Sequence, residues 1–176
     1  RPAPSFEDRI VEVPARELSG PAGLRAIGEG GPDLLVVSGA PILRDPVLRL
    51  PRIGTINVHF GIAPAYRGQD TLFWPLHDGD YGQIGVTLHW VDAGVDSGPI
   101  LARGYPALSP RDDELSIELA CLDLSLRLLR EVLTRLGRGE RPAGEPQPHG
   151  AGGRLYRGAD RTLRRDLELL RDRHLR

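Results

Sequence analysis

The stretch Gly54–Gly68 reads GTINVHFGIAPAYRG, and the interpretation of the whole chain starts from it. Its first part, Thr55–Phe60, is rich in β-branched residues and lies between glycines, a pattern typical of a strand. Asn57 and His59 are two residues apart, so a strand places their side chains on the same face. We therefore predict a strand that carries two polar groups side by side near its carboxyl end.

Further strand patterns lie on both sides of this stretch. Asp33–Ser38 (DLLVVS) is short and apolar, as expected of a central strand that is covered on both faces. Gly85–Asp92 alternates, Ile100–Pro106 begins another strand, and Arg9–Pro14 predicts a weak edge strand. Strands that alternate with connections and helices indicate an α/β fold, in which ligands bind beyond the carboxyl ends of strands.

Three segments of the first 136 residues are predicted to contain helix, and one of them, Arg67–Asp80, is a loop followed by an irregular helix that Pro75 starts or kinks. Ser109–Leu136 has leucines at intervals of three and four residues, and Ser109 is placed to cap the helix. We expect this leucine stripe to face the core. Glu17–Glu29 predicts a poorer helix, because glycine and proline interrupt it.

The last part of the chain has a different composition. Residues 137–153 are rich in glycine, proline and charge and predict a linker or a wrapping loop. Arg161–Arg176 predicts an amphipathic helix that turns Leu163, Leu167 and Leu170 towards the body of the protein. We accordingly expect a catalytic core over residues 1–136, followed by an extension over residues 137–176.

The composition excludes several classes of protein. The chain has 176 residues, a net charge of −1 and a single cysteine, Cys121, so neither a disulfide nor a nucleic-acid partner is expected. No apolar run approaches the roughly 18 residues of a membrane helix, and no signal sequence is visible. We expect a cytoplasmic protein without a membrane partner, whose partners are a small molecule and, as a further alternative, a second copy in a homodimer.

Asp96 completes a candidate chemical site. It follows the Gly85–Asp92 strand in a turn-forming cluster, so it is predicted to meet Asn57 and His59 in one crevice. An amide, an imidazole and a carboxylate suffice for acyl transfer to an amine, since Asn57 and protonated His59 can stabilise charge on the carbonyl oxygen. His59 or a carboxylate-held water can accept the amine proton. A neighbouring Asp96 would raise the pKa of His59 and favour its charged form.

Other roles for these residues stay open at this point. Taken singly, Asn57 fits a backbone cap, His59 a hydrogen-bonded core residue and Asp96 a turn residue. A metal site built from His59, His89, Asp92 and Asp96 is a weaker alternative, because no compact ligand spacing such as HExxH is present. No metal is predicted.

Two segments together resemble a known family. Ile56–Gly68 (INVHFGIAPAYRG) and Gly85–Leu101 (GVTLHWVDAGVDSGPIL) are similar to the signature of the formyltransferase fold, shared by methionyl-tRNA, glycinamide ribonucleotide and sugar-nucleotide N-formyltransferases. The resemblance covers about residues 33–136. It implies a Rossmann-like, mainly parallel sheet flanked by helices, and 10-formyltetrahydrofolate as the formyl donor.

The resemblance also implies roles for individual residues. Asn57, His59 and Asp96 match the family's catalytic Asn, His and Asp, and the mechanism is direct attack of the substrate amine on the formyl carbon. Two segments are expected to contact the folate, through Ser38, Gly39, Ala40, Ile42, Leu43, Ala93, Gly94 and Val95. The expected contacts with the amine substrate are Phe60, Gly61, Ile62 and Arg67.

The chain departs from the family pattern in two places. Where the family has Pro-Ser-Leu-Leu-Pro after its His, this chain has residues 60–64 reading FGIAP, so a hydroxyl expected beside the amine is absent. The family's first βαβ unit is also expected to be lacking, which would leave the sheet without strands on one side of its centre and expose apolar surface.

The acceptor is expected to be a small amine, namely an amino sugar, an N-hydroxylated amino acid or a natural-product intermediate. Transfer RNA is not expected, because the net charge gives no electrostatic footprint of that size. Two alternatives remain open. One is hydrolysis of 10-formyltetrahydrofolate, with water in place of the amine, and the other is a non-catalytic paralogue that binds folate.

Overall fold

The computed structural model describes residues 10–148 and 153–173. The chain divides into two compact units. The first comprises Arg1–Leu35 and Gly39–Thr55, and the second comprises Val36–Ser38 and Ile56–Arg176.

The first unit contains two helices, α1 (Pro21–Gly28) and α2 (Asp45–Leu48), after a 3₁₀ turn at Ala15–Glu17. Proline lies in the first turn of both helices, where its fixed φ angle suits the backbone and its missing N–H costs nothing. The predicted helix 17–29 is therefore shorter than expected. Residues 10–14 of the predicted edge strand have no regular structure, and Arg9 lies outside the described residues.

Four strands form the main sheet. They are β1 (Leu34–Val37), β2 (Gly54–Phe60), β4 (Val86–Trp90) and β5 (Ile100–Gly104), in the order β1-β2-β4-β5. A small second sheet pairs β3 (Tyr66–Gly68) with β6 (Arg154–Tyr156) in parallel. A short helix, α3 (Phe73–Asp78), separates β3 from β4. The α/β class is therefore as predicted.

Strand direction is the exception to that agreement. The resemblance implied a mainly parallel sheet, whereas β2 pairs antiparallel with β4, and β4 pairs antiparallel with β5. The reason for the second pair is the short connection over residues 91–99. A parallel pair needs a crossover of a dozen or more residues, whereas antiparallel neighbours can be joined by a short turn.

Strand β1 lies at one end of the described sheet, although its apolar sequence predicted a central strand. Val36 in this strand is 41% exposed. By contrast, β2 and β4 supply the core of the second unit with Ile56, Val58, Val86 and Leu88, all buried. Part of the apolar side-chain surface of β1 is therefore left exposed by the described residues around it.

The long helix α4 (Glu114–Gly137) packs on β4 and β5. Its N-cap is Asp113, whose carboxylate accepts from the Ser116 amide while the Ser116 hydroxyl accepts from the Asp113 amide. The predicted cap at Ser109 was wrong, since the helix begins five residues later than expected. The reciprocal pair at Asp113 satisfies two backbone donors and sets this start.

The predicted face of α4 was also wrong. Five leucines of the stripe are between 40% and 63% exposed, namely Leu115, Leu119, Leu122, Leu126 and Leu133. The face that packs on the sheet consists of smaller side chains and the last leucine: Ile117, Cys121, Ser125, Val132 and Leu136. The helix has two apolar faces, and periodicity alone does not tell which of them meets the sheet.

The chain returns to the second unit after α4. Residues 140–148 run beside the turn at 91–99, and β6 is followed by a 3₁₀ turn at Gly158–Asp160 and helix α5 (Leu163–Arg173). The leucines predicted to face the body, Leu163, Leu167 and Leu170, are between 54% and 75% exposed, whereas Leu169 is buried. That prediction was wrong, because the contacts of α5 with α3 are made through its other face.

Arg161 fixes the start of α5. Its guanidinium makes two hydrogen bonds to Glu114 at 2.8 and 3.1 Å and lies 4.1 Å from the centre of the Phe73 ring.

No helix among residues 10–148 and 153–173 is long and apolar enough to cross a membrane. The boundary at residue 136 stays a prediction about domain organisation.

Candidate active site

The pairing of β2 with β4 places four polar side chains on one face of the sheet. Asn57 lies opposite His89, and His59 lies opposite Thr87. Directly opposed residues on antiparallel strands point to the same side. Asn57, His59 and His89 therefore form a polar group on this face. The alternate residues of β2, Ile56 and Val58, are buried in the core.

Asp96 reaches this polar group from the turn after β4. Its Oδ1 accepts from Asn57 Nδ2 at 2.9 Å and lies 3.3 Å from His89 Nε2. Its Oδ2 accepts from the Gly68 amide at 2.8 Å and lies 3.5 Å from His59 Nδ1. The structure thus brings Asn57, His59 and Asp96 together, with the Asp96 carboxylate between the other two side chains.

These contacts keep Asp96 ionised. Burial by itself would raise the pKa of the carboxyl group. The hydrogen bond from His89, the electrostatic effect of the nearby His59 ring and the Gly68 amide outweigh that effect and lower the pKa to about 2. The site therefore holds a carboxylate with a full negative charge at neutral pH.

His59 is buried, with 5% of its surface exposed. Its Nε2 donates to the Tyr66 carbonyl oxygen at 2.8 Å. Burial lowers the pKa of His59 below its usual value, and this effect exceeds the opposing pull of Asp96. Asp96 does raise the pKa of His59, as expected, but desolvation is the larger effect, so the net shift is downward and the neutral form is favoured. The neutral ring has its proton on Nε2 and leaves the Nδ1 lone pair free.

His89 is the residue that sequence reasoning considered only as a metal ligand. Its Nδ1 donates to the Trp90 carbonyl oxygen at 2.8 Å, and its Nε2 lies 3.2 Å from Asn57 Nδ2. The same Nε2 lies 3.3 Å from Asp96 Oδ1, so His89 lies beside both partners of the Asn57–Asp96 hydrogen bond. The β2–β4 register would have revealed this contact.

Two glycines allow the backbone to approach the site closely. Gly68 has φ +94°, and a Cβ at that position would lie 2.0 Å from the Tyr156 carbonyl oxygen. A Cβ on Gly61 would lie 2.8 Å from His59 Nε2. A larger residue at Gly61 would press on the His59 ring, and one at Gly68 would clash with the β6 backbone and shift the amide that donates to Asp96.

The residues predicted to contact the amine substrate lie near these glycines. Phe60 ends β2, and its carbonyl oxygen accepts from the Thr71 hydroxyl. Ile62 is buried and lines a cavity of about 450 Å³ together with Asp78, Asp80, Arg103 and others. Asn57, His59 and Asp96 are not among the described residues that line it. Arg67 lies in β3, and its Nε is buried without a hydrogen-bond partner among the described residues.

The residues predicted to bind folate fall into three groups. Ser38 is exposed, and its Oγ donates to the Val58 carbonyl oxygen at 3.4 Å. The turn residues Ala93 and Gly94 are exposed and Val95 is half-buried. The remaining residues belong to the first unit, where the backbone turns at Gly39 with φ +59°; they are Gly39, Ala40, Ile42 and Leu43.

The part of the chain that the structure describes contains no group of three or more His, Cys, Asp or Glu side chains arranged to hold a metal ion. Asp92, one member of the metal alternative, instead accepts from the Gly94 amide at 2.9 Å and from the Ser97 hydroxyl at 2.8 Å. Its carboxylate shapes the turn that carries Asp96.

Comparison with known proteins places this geometry in a family. Residues 5–133 match the family model described as formyl transferase. The chain belongs to the formyltransferase family. This confirms the family that the two sequence segments predicted, and the wide span of the match extends it well beyond those segments.

Individual formyltransferases agree with this assignment. The chain is 36% identical over 121 residues to a methionyl-tRNA formyltransferase of Citrifermentans bemidjiense, a match that covers 68% of this chain and 38% of that protein. The chain thus spans less than half the length of the curated relatives it matches.

Solved formyltransferases share the fold. A formyltransferase of Anoxybacillus kamchatkensis, solved with UDP-4,6-dideoxy-4-formamido-L-AltNAc and tetrahydrofolate, has a TM-score of 0.63 and 25% identity over 73% of this chain and 66% of its own. Glycinamide ribonucleotide transformylase 1 of Symbiobacterium toebii has a TM-score of 0.63 and 26% identity over 77% of this chain and 67% of its own. The Rossmann-like α/β class is confirmed by these relatives.

Proposed function

We propose that this chain transfers the formyl group of 10-formyltetrahydrofolate to the amino group of a small molecule. The observation that carries the proposal is the ionised carboxylate of Asp96, held between Asn57 on one oxygen and His59 on the other. Family membership supplies the reaction class. The arrangement of these three side chains supplies the proton acceptor and the hydrogen-bond donor that the reaction needs.

His59 is proposed to accept the proton of the attacking amine. Its Nε2 is committed to the Tyr66 carbonyl oxygen, so only Nδ1 can take a proton. The lowered pKa of His59 keeps Nδ1 unprotonated before attack. When the ring becomes an imidazolium ion, Asp96 Oδ2 at 3.5 Å stabilises the new charge. The amine nitrogen bonds to the formyl carbon as its proton passes to His59.

Asn57 is proposed to stabilise the negative charge that develops on the formyl oxygen. One N–H of its amide is held by Asp96, and the second N–H is the one proposed to donate to the formyl oxygen. A preorganised donor of this kind favours the tetrahedral intermediate over the planar formyl group. The intermediate then breaks its bond to folate N10, which takes up the proton from His59 as tetrahydrofolate leaves.

The folate is proposed to lie against the turn 93–95 of the second unit. Ala93 and Gly94 are exposed there, so their backbone groups can hydrogen-bond a polar ring. The presence of tetrahydrofolate in the related Anoxybacillus kamchatkensis enzyme supports a folate as the formyl donor.

An amino sugar carried by a nucleotide is the acceptor class that we favour. The Anoxybacillus kamchatkensis relative was solved with a formamido sugar nucleotide. Arg67, whose buried Nε has no partner among the described residues, could donate to an acidic group of such a substrate. The net charge of −1 gives no basic surface of the size that transfer RNA requires.

A direct test supplies the chain with 10-formyltetrahydrofolate and three acceptors in separate reactions: a UDP-linked 4-amino-4,6-dideoxy sugar, methionyl-tRNA, and water alone. We expect an N-formyl sugar nucleotide with equimolar tetrahydrofolate, detected by mass spectrometry and absorbance. Formylated methionyl-tRNA would overturn the acceptor class. Release of formate at the same rate without amine would identify a hydrolase, and folate binding without turnover would identify a non-catalytic paralogue.

A further inference from the structure

The segment that follows α4 is attached to both ends of the turn that carries Asp96. Before the turn, Trp90 Nε1 donates to the Pro142 carbonyl oxygen at 3.0 Å. After the turn, Ile100 and Glu145 exchange a pair of backbone hydrogen bonds, both of 2.8 Å. Residues 142–147 therefore run alongside the whole turn.

Gln147 makes the central contact between this segment and the turn. The side chain is buried, with 8% of the residue exposed. Its Nε2 donates to the carbonyl oxygens of Asp96 at 3.0 Å and Gly98 at 2.8 Å, which uses both hydrogens of the amide. A flipped amide would place Oε1 against two other oxygens, so the two carbonyls determine the orientation of the side chain.

The other end of the amide has no such support. Gln147 Oε1 is buried and has no hydrogen-bond partner among the described residues. A buried acceptor without a partner is unfavourable. A side chain placed there only to fill space would therefore be expected to be apolar, and the two N–H donors are what an amide adds at this position.

The turn needs this support because its backbone is strained. Asp96 has φ +47°, a left-handed conformation that side chains other than glycine rarely adopt. At Gly98 the turn passes so close to β4 that a Cβ would lie 1.8 Å from the Trp90 carbonyl oxygen. The strained residue is also the one whose carboxylate contacts Asn57, His59 and His89.

We propose that Gln147 is a positioning residue, which holds the carbonyls of Asp96 and Gly98 so that the Asp96 carboxylate reaches its partners. The inference rests on the proposed function for its catalytic consequence, since Asp96 is the carboxylate that supports His59. Gln147 contacts Asp96 only through the backbone, and its effect on the reaction is exerted through that residue.

Three variants of the full chain test the proposal. Gln147→Leu keeps the approximate shape and removes both donors, and we expect kcat to fall about 10- to 100-fold, because small misplacements of reacting groups have effects of that size. The KM for the folate should change little. Glu145→Gln is the matched control: its side chain is exposed and its backbone pair with Ile100 is kept, so its kcat should equal that of the parent chain.

Gln147→Glu adds a pH signature that a loss of packing would not produce. The carboxylate form presents oxygen to two carbonyl oxygens, whereas the protonated form can again donate to one of them. Above pH about 6.5, where the kcat of the parent chain is expected to be level, activity relative to the parent chain should therefore rise as the pH is lowered in Gln147→Glu and stay flat in Gln147→Leu. A flat ratio in Gln147→Glu over this range would contradict the proposal, even if Gln147→Leu proved too unstable to assay.

A second measurement does not depend on catalysis. The proton equilibrium of His59 can be followed by NMR, with its resonances assigned from their loss in His59→Gln. Because Asp96 raises the pKa of His59, a displaced carboxylate should lower that pKa further in Gln147→Leu. If the parent chain formylates no amine, the proposed function fails while this titration still reports on Gln147. Unchanged titration and unchanged kcat in Gln147→Leu would together overturn the inference.

Discussion

Asn57 Nδ2 lies 2.9 Å from Asp96 Oδ1, so a single hydrogen bond joins strand β2 to the turn that follows β4. The same carboxylate reaches His59 through its other oxygen. Asp96 thereby links the Asn57 amide to the His59 imidazole. These two side chains make no hydrogen bond to each other among the described residues.

Replacement of His59 by Gln should lower kcat for formyl transfer by about 10²- to 10⁴-fold, the usual contribution of a positioned base. Binding of tetrahydrofolate, measured by calorimetry, should be nearly unchanged. His77→Gln is the matched control, because His77 contacts Asp78 and Glu168 and none of the proposed catalytic groups. A near-normal kcat in His59→Gln would exclude His59 as the proton acceptor.

The pH dependence of kcat should report the lowered pKa of His59. Neutral His59 is the active form, so the rate should be level above pH about 6.5 and fall only at a lower pH, as the buried ring becomes protonated. In Asp96→Asn the charge that raises this pKa is gone, and the fall should move to still lower pH. A shift to higher pH in that variant would contradict the assignment.

Asp96 should also contribute to acid stability. Its folded-state pKa of about 2 lies below the value of about 3.9 expected in the unfolded chain. The contribution is therefore complete above pH about 4 and is lost as the pH falls through about 2. Its size is on the order of 2 kcal/mol. Urea unfolding of the parent chain and Asp96→Asn at several pH values between these limits measures it as the difference between the two curves.

Helix α4 offers a test of which face is buried. Ile117→Ala should reduce the free energy of unfolding by about 2–5 kcal/mol, because Ile117 is buried against the sheet. Leu119→Ala removes an exposed leucine from the same helix and should change it by no more than about 0.5 kcal/mol. Equal losses in chemical denaturation would show that the leucine face is covered in solution.

Local sequence patterns were sufficient for the strands and for the central chemistry. Apolar and β-branched runs located β1, β2, β4 and β5, because period-two alternation is a property of the strand itself. Asn57, His59 and Asp96 were identified since two of them share a strand and the third lies in a turn marked by glycine. Their roles in catalysis stay predictions.

The features that sequence reasoning missed depend on contacts between distant residues. His89 joins the site only through the register of β4 against β2, and Gln147 reaches Asp96 from a segment whose composition indicated a linker. The buried face of α4 was misassigned because burial depends on which residues the sheet presents. The lowered pKa of His59 likewise depends on how deeply the folded chain buries the ring. The presence of Asp96 in the sequence does not reveal that burial.

The left-handed backbone of Asp96 has a consequence for protein engineering. Glycine is the residue that this backbone conformation accommodates best, so a sequence design that scores only the backbone conformation would favour Asp96→Gly at this position. The same substitution would delete the carboxylate that His59 and Asn57 share. A design of this turn from its backbone alone would therefore remove the group on which the proposed activity depends, and its variants need an activity assay beside the melting curve.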